Sequence, residues 1–183
     1  MKTALVILDM LNDFVDGILA NSAAKPITDP IRQLAQKARD QQDWEVIYAN
    51  DAHQPGDFEF KVFGEHALAG TDGAAVISEL APADGDIIVP KRFYSAFTET
   101  DLDATCRVRG IGRFVVVGQH TNCCCRHTAY DAFQRGLQVS VVSDATCVFA
   151  PMAGESYDQA QRDALDYLRA FYGAEIISAQ QLL

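Results

Sequence analysis

The sequence predicts an α/β fold of three layers, with helices covering both faces of a doubly wound, mainly parallel sheet of about six strands. Short apolar runs alternate along the chain with longer amphipathic stretches, the pattern of strand–helix–strand units with right-handed crossovers. The first run, Ala4–Leu8, is apolar throughout, as a strand buried on both faces requires. Residues able to do chemistry stand directly after the apolar runs, where open parallel sheets build their ligand crevices.

Taken in order, Ala4–Leu8 is the first strand. Pro30 to Gln42 reads as a helix, with Asp29 as N-cap and Pro30 at the first helical position. Glu45–Ala49 and Ile87–Val89 are the second and third strands. Between them, Asp51 to Thr71 is too long for a mere connection, and loops of that length are usually functional. Asp101 to Val108 reads as a short helix and Phe114–Val117 as the fourth strand. A helix follows from Cys124 to Arg135, stopped by Gly136, and Leu137–Val142 is the fifth strand. Glu155 to Tyr172 is a long amphipathic helix closed by Gly173, and Glu175–Ile177 a last strand.

The 183 residues, 49% hydrophobic and 22% charged, suit one soluble globular domain spanning 1–183. A net charge of −10, spread along the chain, argues against nucleic acid and anionic membranes as partners. No stretch reads as a signal peptide or membrane span. The five cysteines are odd in number and three are adjacent, which excludes a disulfide framework and fits a reducing cytoplasm.

The adjacent cysteines, Cys123, Cys124 and Cys125, follow a strand and open a helix. Unpaired N–H groups at a helix N-terminus lower a thiol's pKa, so position favours a reactive role for one of them over burial as a small hydrophobe. Asp9 ends the first strand, Asp51 and His53 follow the second, and Lys91 follows the third. Together these strand ends bring a carboxylate, a metal-type pair, an ammonium and a thiol to one rim, the parts that acyl transfer needs. Asp51 and His53, two apart in an extended segment, face the same way. His66 and Glu59 can return from the long loop to complete a mixed nitrogen–oxygen site suited to Zn, Fe or Mn.

These motifs resemble the isochorismatase-like cysteine hydrolases, and within them the nicotinamidase/pyrazinamidase branch. The likeness runs through Leu8-Asp9-Met10 to Asp13-Phe14, Asp51-Ala52-His53, Phe63-Gly64-Glu65-His66, Lys91-Arg92 to Leu102, and Gly118 through Cys124 to Ala132. The resemblance implies a catalytic triad of Asp9, Lys91 and Cys124 and hydrolysis of nicotinamide through a thioester. It picks Cys124 among the three cysteines by its distance from Thr121. It also implies a cis peptide at Gln119–His120 and an oxyanion hole made by the N–H groups of His120 and Cys124. One divalent metal at Asp51, His53, His66 and Glu59 would bind the ring nitrogen of the substrate, with no organic cofactor. Phe14, Phe63 and Tyr94 would touch the substrate, and the protein would be a homo-oligomer.

The sequence departs from the family pattern at Gln119, His120, Asn122 and Cys123, so another small amide, a ureido compound or isochorismate stays open as substrate. A non-catalytic protein of the same fold is disfavoured by the intact triad. A thiol redox protein would want Cys-x-x-Cys spacing, and a nucleotide-binding one a glycine-rich fingerprint after the first strand.

Overall fold

The computed structural model describes residues 1–149 and 154–183. A six-stranded sheet, parallel throughout, runs in the order β3-β2-β1-β4-β5-β6, with β1 Lys2–Leu8, β2 Trp44–Asp51, β3 Ile87–Lys91, β4 Ile111–Gln119, β5 Gln138–Cys147 and β6 Glu175–Ile177. The helices are α1 Asn12–Val15, α2 Ala24–Arg39, α3 Phe60–Phe63, α4 Leu102–Arg109, α5 Cys124–Gln134 and α6 Tyr157–Tyr172. The layered α/β architecture read from the sequence is the one found.

The uninterrupted apolar run of β1 has a simple cause. Ala4, Val6 and Leu8 point into a core shared with α4, α5 and α6, whereas Leu5 and Ile7 point into a second core closed by α2. Successive side chains of a strand alternate between faces, so a central strand must be apolar at every position. The chain winds from β1 outward to β2 and β3, then returns to β4 beside β1 and winds the other way. That reversal opens a crevice beyond the carboxyl ends of β1 and β4.

The start of α2 differs from the reading. The helix begins at Ala24, not at Pro30, and Pro30 lies inside it. Asp29 does not cap; its carboxylate accepts from Arg32 Nη2 at 2.5 Å and Gln33 Nε2 at 2.6 Å. Proline costs the helix one hydrogen bond, but Ala24, Ile27, Ile31, Leu34, Ala35 and Ala38 form one buried stripe, and its burial outweighs the loss. α6 begins at Tyr157, its first turn capped by Ser156, whose side chain accepts from the Gln159 N–H at 3.2 Å. β5 continues past Val142 to Cys147 through an irregular register opposite Val116 to Gly118. The long loop holds the single turn α3. All five cysteines are free thiols, and among the described residues no helix is long and apolar enough to cross a membrane.

One glycine is dictated by this packing. Gly118, near the end of β4, has φ +99°, and a Cβ there would strike the Leu8 carbonyl in the neighbouring strand. The segment carrying Asp9 can therefore lie flush against the segment leading to Cys124. Gly118→Ala is expected to lower stability by about 1–3 kcal/mol, measured by urea unfolding, because it adds both strain and a clash.

Candidate active site

Strand register brings the charged groups together. Asp51 pairs with Lys91 across β2 and β3, and Asp9 follows β1 directly beside Asn50. The Asp9 N–H donates to Asn50 Oδ1 at 2.9 Å, and the Gln119 amide donates to the Asp9 carbonyl at 3.1 Å. These bonds hold Asp9 at φ +52°, an unusual backbone state for a residue other than glycine. One Asp9 oxygen accepts the Asp51 N–H at 2.8 Å; the other lies 2.9 Å from Lys91 Nζ. Lys91 also pairs with the Asp51 carboxylate and donates to Cys124 Sγ at 3.6 Å.

The nucleophile candidate is placed by the turn between β4 and α5. The Gln119–His120 bond is cis. The N–H groups of Cys123 and Cys125 both donate to the His120 carbonyl, at 2.9 and 3.1 Å, folding the turn so that Cys124 opens α5. Among the described residues, neither the His120 nor the Cys124 N–H has a backbone partner. The carboxylates of Asp9 and Asp51 and the Cys124 thiol lie within 4.8 Å of one another.

The electrostatics correct one expectation. The helix N-terminus does not leave Cys124 acidic: its hydrogen bond with Cys123, its burial and the two nearby carboxylates push the thiol well above its ordinary value, against Lys91. Burial and the Asp51 charge raise Asp9 to about 6, Lys91 opposing them. Burial disfavours a charged Lys91, but Asp51 and Asp9 outweigh it and hold the ammonium protonated. The cluster at rest is therefore a neutral thiol beside a base that is mostly ionised at neutral pH.

A second constellation adjoins it. Asp51, His53, Glu59 and His66 each bring a donor atom within 4.8 Å of the others. His53 Nε2 stands 3.7 Å from Asp51 Oδ2 and 3.8 Å from Glu59 Oε2, and His66 Nε2 stands 3.7 Å from Glu59 Oε1. Both Nε2 atoms are buried without a hydrogen-bond partner. Their other ring nitrogens are engaged, His53 Nδ1 by Asp57 at 3.0 Å and His66 Nδ1 by the Gly64 carbonyl at 2.8 Å. Metal-binding histidines are oriented in this way, by a carboxylate or carbonyl on the far nitrogen. Two imidazoles and two carboxylates with their free donors converging fit a divalent transition metal.

Between these groups lies a cavity of about 190 Å³ lined by Phe14, Leu19, Asp51, Glu59, Phe63, His66, His120, Asn122, Cys123, Cys124 and Phe149. Phe14 and Phe63 line this cavity, whereas Tyr94 lines an outer groove beside Arg92 and Phe93, its ring leaning on His127 with centroids 5.2 Å apart. Its position after β3 turns it outward, past the wall that Glu59 shares with both spaces.

Sequence reasoning missed several supporting residues. Asp57, which orients His53 and is itself paired with Arg92, stands four residues after the histidine, and that spacing was the available signal. Phe149, a cavity wall, is tied by its N–H to Asn122 Oδ1 at 3.0 Å across a separation no local pattern announces. Asn21 locks the rim by donating to the Val148 carbonyl at 2.9 Å.

The isochorismatase domain matches residues 3–181. The chain belongs to the isochorismatase family. An isochorismatase-family hydrolase has many relatives, and three mark the range. A ureidoacrylate amidohydrolase of Stutzerimonas stutzeri is 34% identical over 94% of this chain and 78% of its own length. An N-carbamoylsarcosine amidase from Thermoplasma acidophilum superposes with a TM-score of 0.87 at 37% identity, covering 98% of this chain and 97% of the other. The nicotinamidase/pyrazinamidase PncA from Bacillus subtilis gives 0.87 at 30% identity, over 97% and 100%.

Removing the group that orients His53 should weaken the cation site without emptying it. Asp57→Ala is expected to lower the affinity of the metal-stripped protein for Zn²⁺ by about 10–100-fold, read by competition with a chromophoric chelator.

Proposed function

We propose that this isochorismatase-family hydrolase is an amidase for small, uncharged heteroaromatic carboxamides, with nicotinamide as substrate and nicotinate and ammonia as products. One observation carries the choice over ureido acids. The cavity wall bears aromatic rings and two carboxylates, and among the described residues no lysine or arginine lines it. A ureidoacrylate or an N-carbamoyl amino acid brings a carboxylate of its own, which would meet Asp51 and Glu59 unbalanced. A divalent ion on Asp51, His53, Glu59 and His66 would only cancel those two charges. The volume, below the usual range of about 300–1,000 Å³ for ligand pockets, supports a single-ring substrate held against Phe14, Phe63 and Phe149.

In this mechanism the carboxamide carbon lies against Cys124 Sγ. Asp9 takes the thiol proton, so the high pKa of the resting thiol is no obstacle. The thiolate attacks, and the oxyanion is held by the His120 and Cys124 N–H groups. The carbon–nitrogen bond breaks, Asp9 returns the proton to the leaving ammonia, and a thioester remains. Water, deprotonated by Asp9, cleaves the thioester, releases the carboxylate and restores the thiol. Lys91 keeps Asp9 ionised and stabilises negative charge in the transition state. A divalent metal on the adjoining cluster would supply a Lewis acid that binds and orients the substrate's ring nitrogen.

The test is ammonia release from nicotinamide, pyrazinamide, ureidoacrylate and N-carbamoylsarcosine. Turnover of the pyridine and pyrazine amides, lost in Cys124→Ala and kept in Cys125→Ala, is the expected result. Turnover confined to the ureido acids, or undiminished in Cys124→Ala, would overturn the reading.

Lys91→Met should cut turnover by about a hundredfold or more. It should also move the acid limb of the rate profile to higher pH, because Asp9 loses the opposite charge that favours its ionised form. Lys91→Arg should rescue only in part, since a planar guanidinium cannot replace a compact ammonium between two carboxylates. A pH–rate series on both variants checks this.

A further inference from the structure

The cavity lining includes His120 and Asn122, polar side chains that serve neither the triad nor the metal cluster. Asn122 Oδ1 already accepts the Phe149 N–H at 3.0 Å, which singles out His120. His120 is 6% exposed, and its ring stands edge-on to Phe14 and Phe149, with centroids 5.7 and 4.9 Å away. Its Nε2 is buried without a partner, and among the described residues neither ring nitrogen makes a hydrogen bond. His120 is absent from the group of side chains that converge on the cation site. Burial, with Lys91 adding to it against Asp51, pulls its pKa down to about 3, so the ring is neutral at physiological pH. A neutral imidazole has one N–H donor and one acceptor nitrogen.

An unsatisfied polar group in an apolar wall is costly, by about 1–3 kcal/mol, and such groups in native proteins call for an explanation. His53 and His66, the other histidines whose buried Nε2 atoms lack a partner, have theirs in the cation cluster. A space of about 190 Å³ brings a single-ring ligand close to His120. The site then offers three polar stations: the thiol, which takes the carbonyl carbon; the cation cluster, which takes a Lewis base; and His120. A pyridine carboxamide supplies a partner for the first two only.

We propose that His120 is a specificity-determining residue whose imidazole hydrogen-bonds a second polar ring atom of the substrate, so that the protein prefers diazine or polar-substituted pyridine carboxamides to nicotinamide itself. The inference rests on the carboxamidase reading above and names the substrate class within it. Sites that hydrogen-bond a substrate atom discriminate against analogues lacking it, because the protein group is then left unpaired.

The experiment compares kcat/KM for pyrazinamide, which has two ring nitrogens, with that for nicotinamide, which has one. The native protein is measured beside His120→Phe, His120→Ala and His120→Asn. The pyrazinamide-to-nicotinamide ratio should fall by about tenfold in His120→Phe and His120→Ala, the effect of one net hydrogen bond. It should recover in His120→Asn, which keeps a donor and an acceptor, and a far-UV circular dichroism spectrum and thermal unfolding midpoint close to the native protein's would show that the variants are folded. A ratio unchanged in His120→Phe and His120→Ala, with both amides still hydrolysed, would overturn the role of His120 alone. Failure of the native protein to hydrolyse either amide would overturn the carboxamidase reading and this inference with it.

Discussion

A single buried ammonium organises this molecule. Lys91 has no access to water and touches three groups that arrive from different strands: Asp9 after β1, Asp51 at the end of β2, and Cys124 after β4. A lysine can stay charged in such a place only if carboxylates compensate its lost hydration, and the two carboxylates can stay ionised there only because of the lysine. Each buried charge thus requires the others. Because Asp51 belongs both to this cluster and to the convergent donors with His53, Glu59 and His66, the thiol and that donor set are fixed relative to each other through one side chain.

The arrangement also explains how a cysteine can open a helix and yet remain a thiol. Helix N-termini favour thiolates, but here burial, the Cys123 hydrogen bond and two carboxylates prevail. In the proposed mechanism the energy of forming the thiolate would be met by proton transfer to Asp9 rather than by the resting environment. A thiol kept neutral is less exposed to adventitious oxidation, while the proton acceptor stands already in position.

Much of the architecture was legible because a central parallel strand leaves a plain mark: Ala4–Leu8 has no polar residue, and only burial on both faces asks for that. The placement of Asp9, Lys91 and Cys124 followed from the same logic, since strand ends in a doubly wound sheet share one rim. The start of α2 was not legible, because Asp29-Pro30 mimics a helix start and only the packing of Ala24 and Ile27 against the sheet overrides it. Phe149 and Asn21 were hidden for another reason. They join the site through contacts distant in sequence, 27 residues for Phe149 with Asn122 and 127 for Asn21 with Val148, and nothing in their immediate neighbours marks them. Tyr94 is the opposite case, a residue in a matching motif that lines the outer groove rather than the inner cavity.

The small size of the inner cavity has a consequence for chemical labelling. Among the described residues, Cys124 is buried beside a space of about 190 Å³ lined by Phe14, Phe63 and Phe149, whereas Cys123, which also lines it, is half-buried. Thiol reagents will therefore sort by bulk. A flat, compact electrophile fits the space beside Cys124, while a large chromogenic disulfide meets Cys123 first and reports on the rim. A cysteine count on the native protein would then measure the width of the aperture rather than the number of reactive sulfurs.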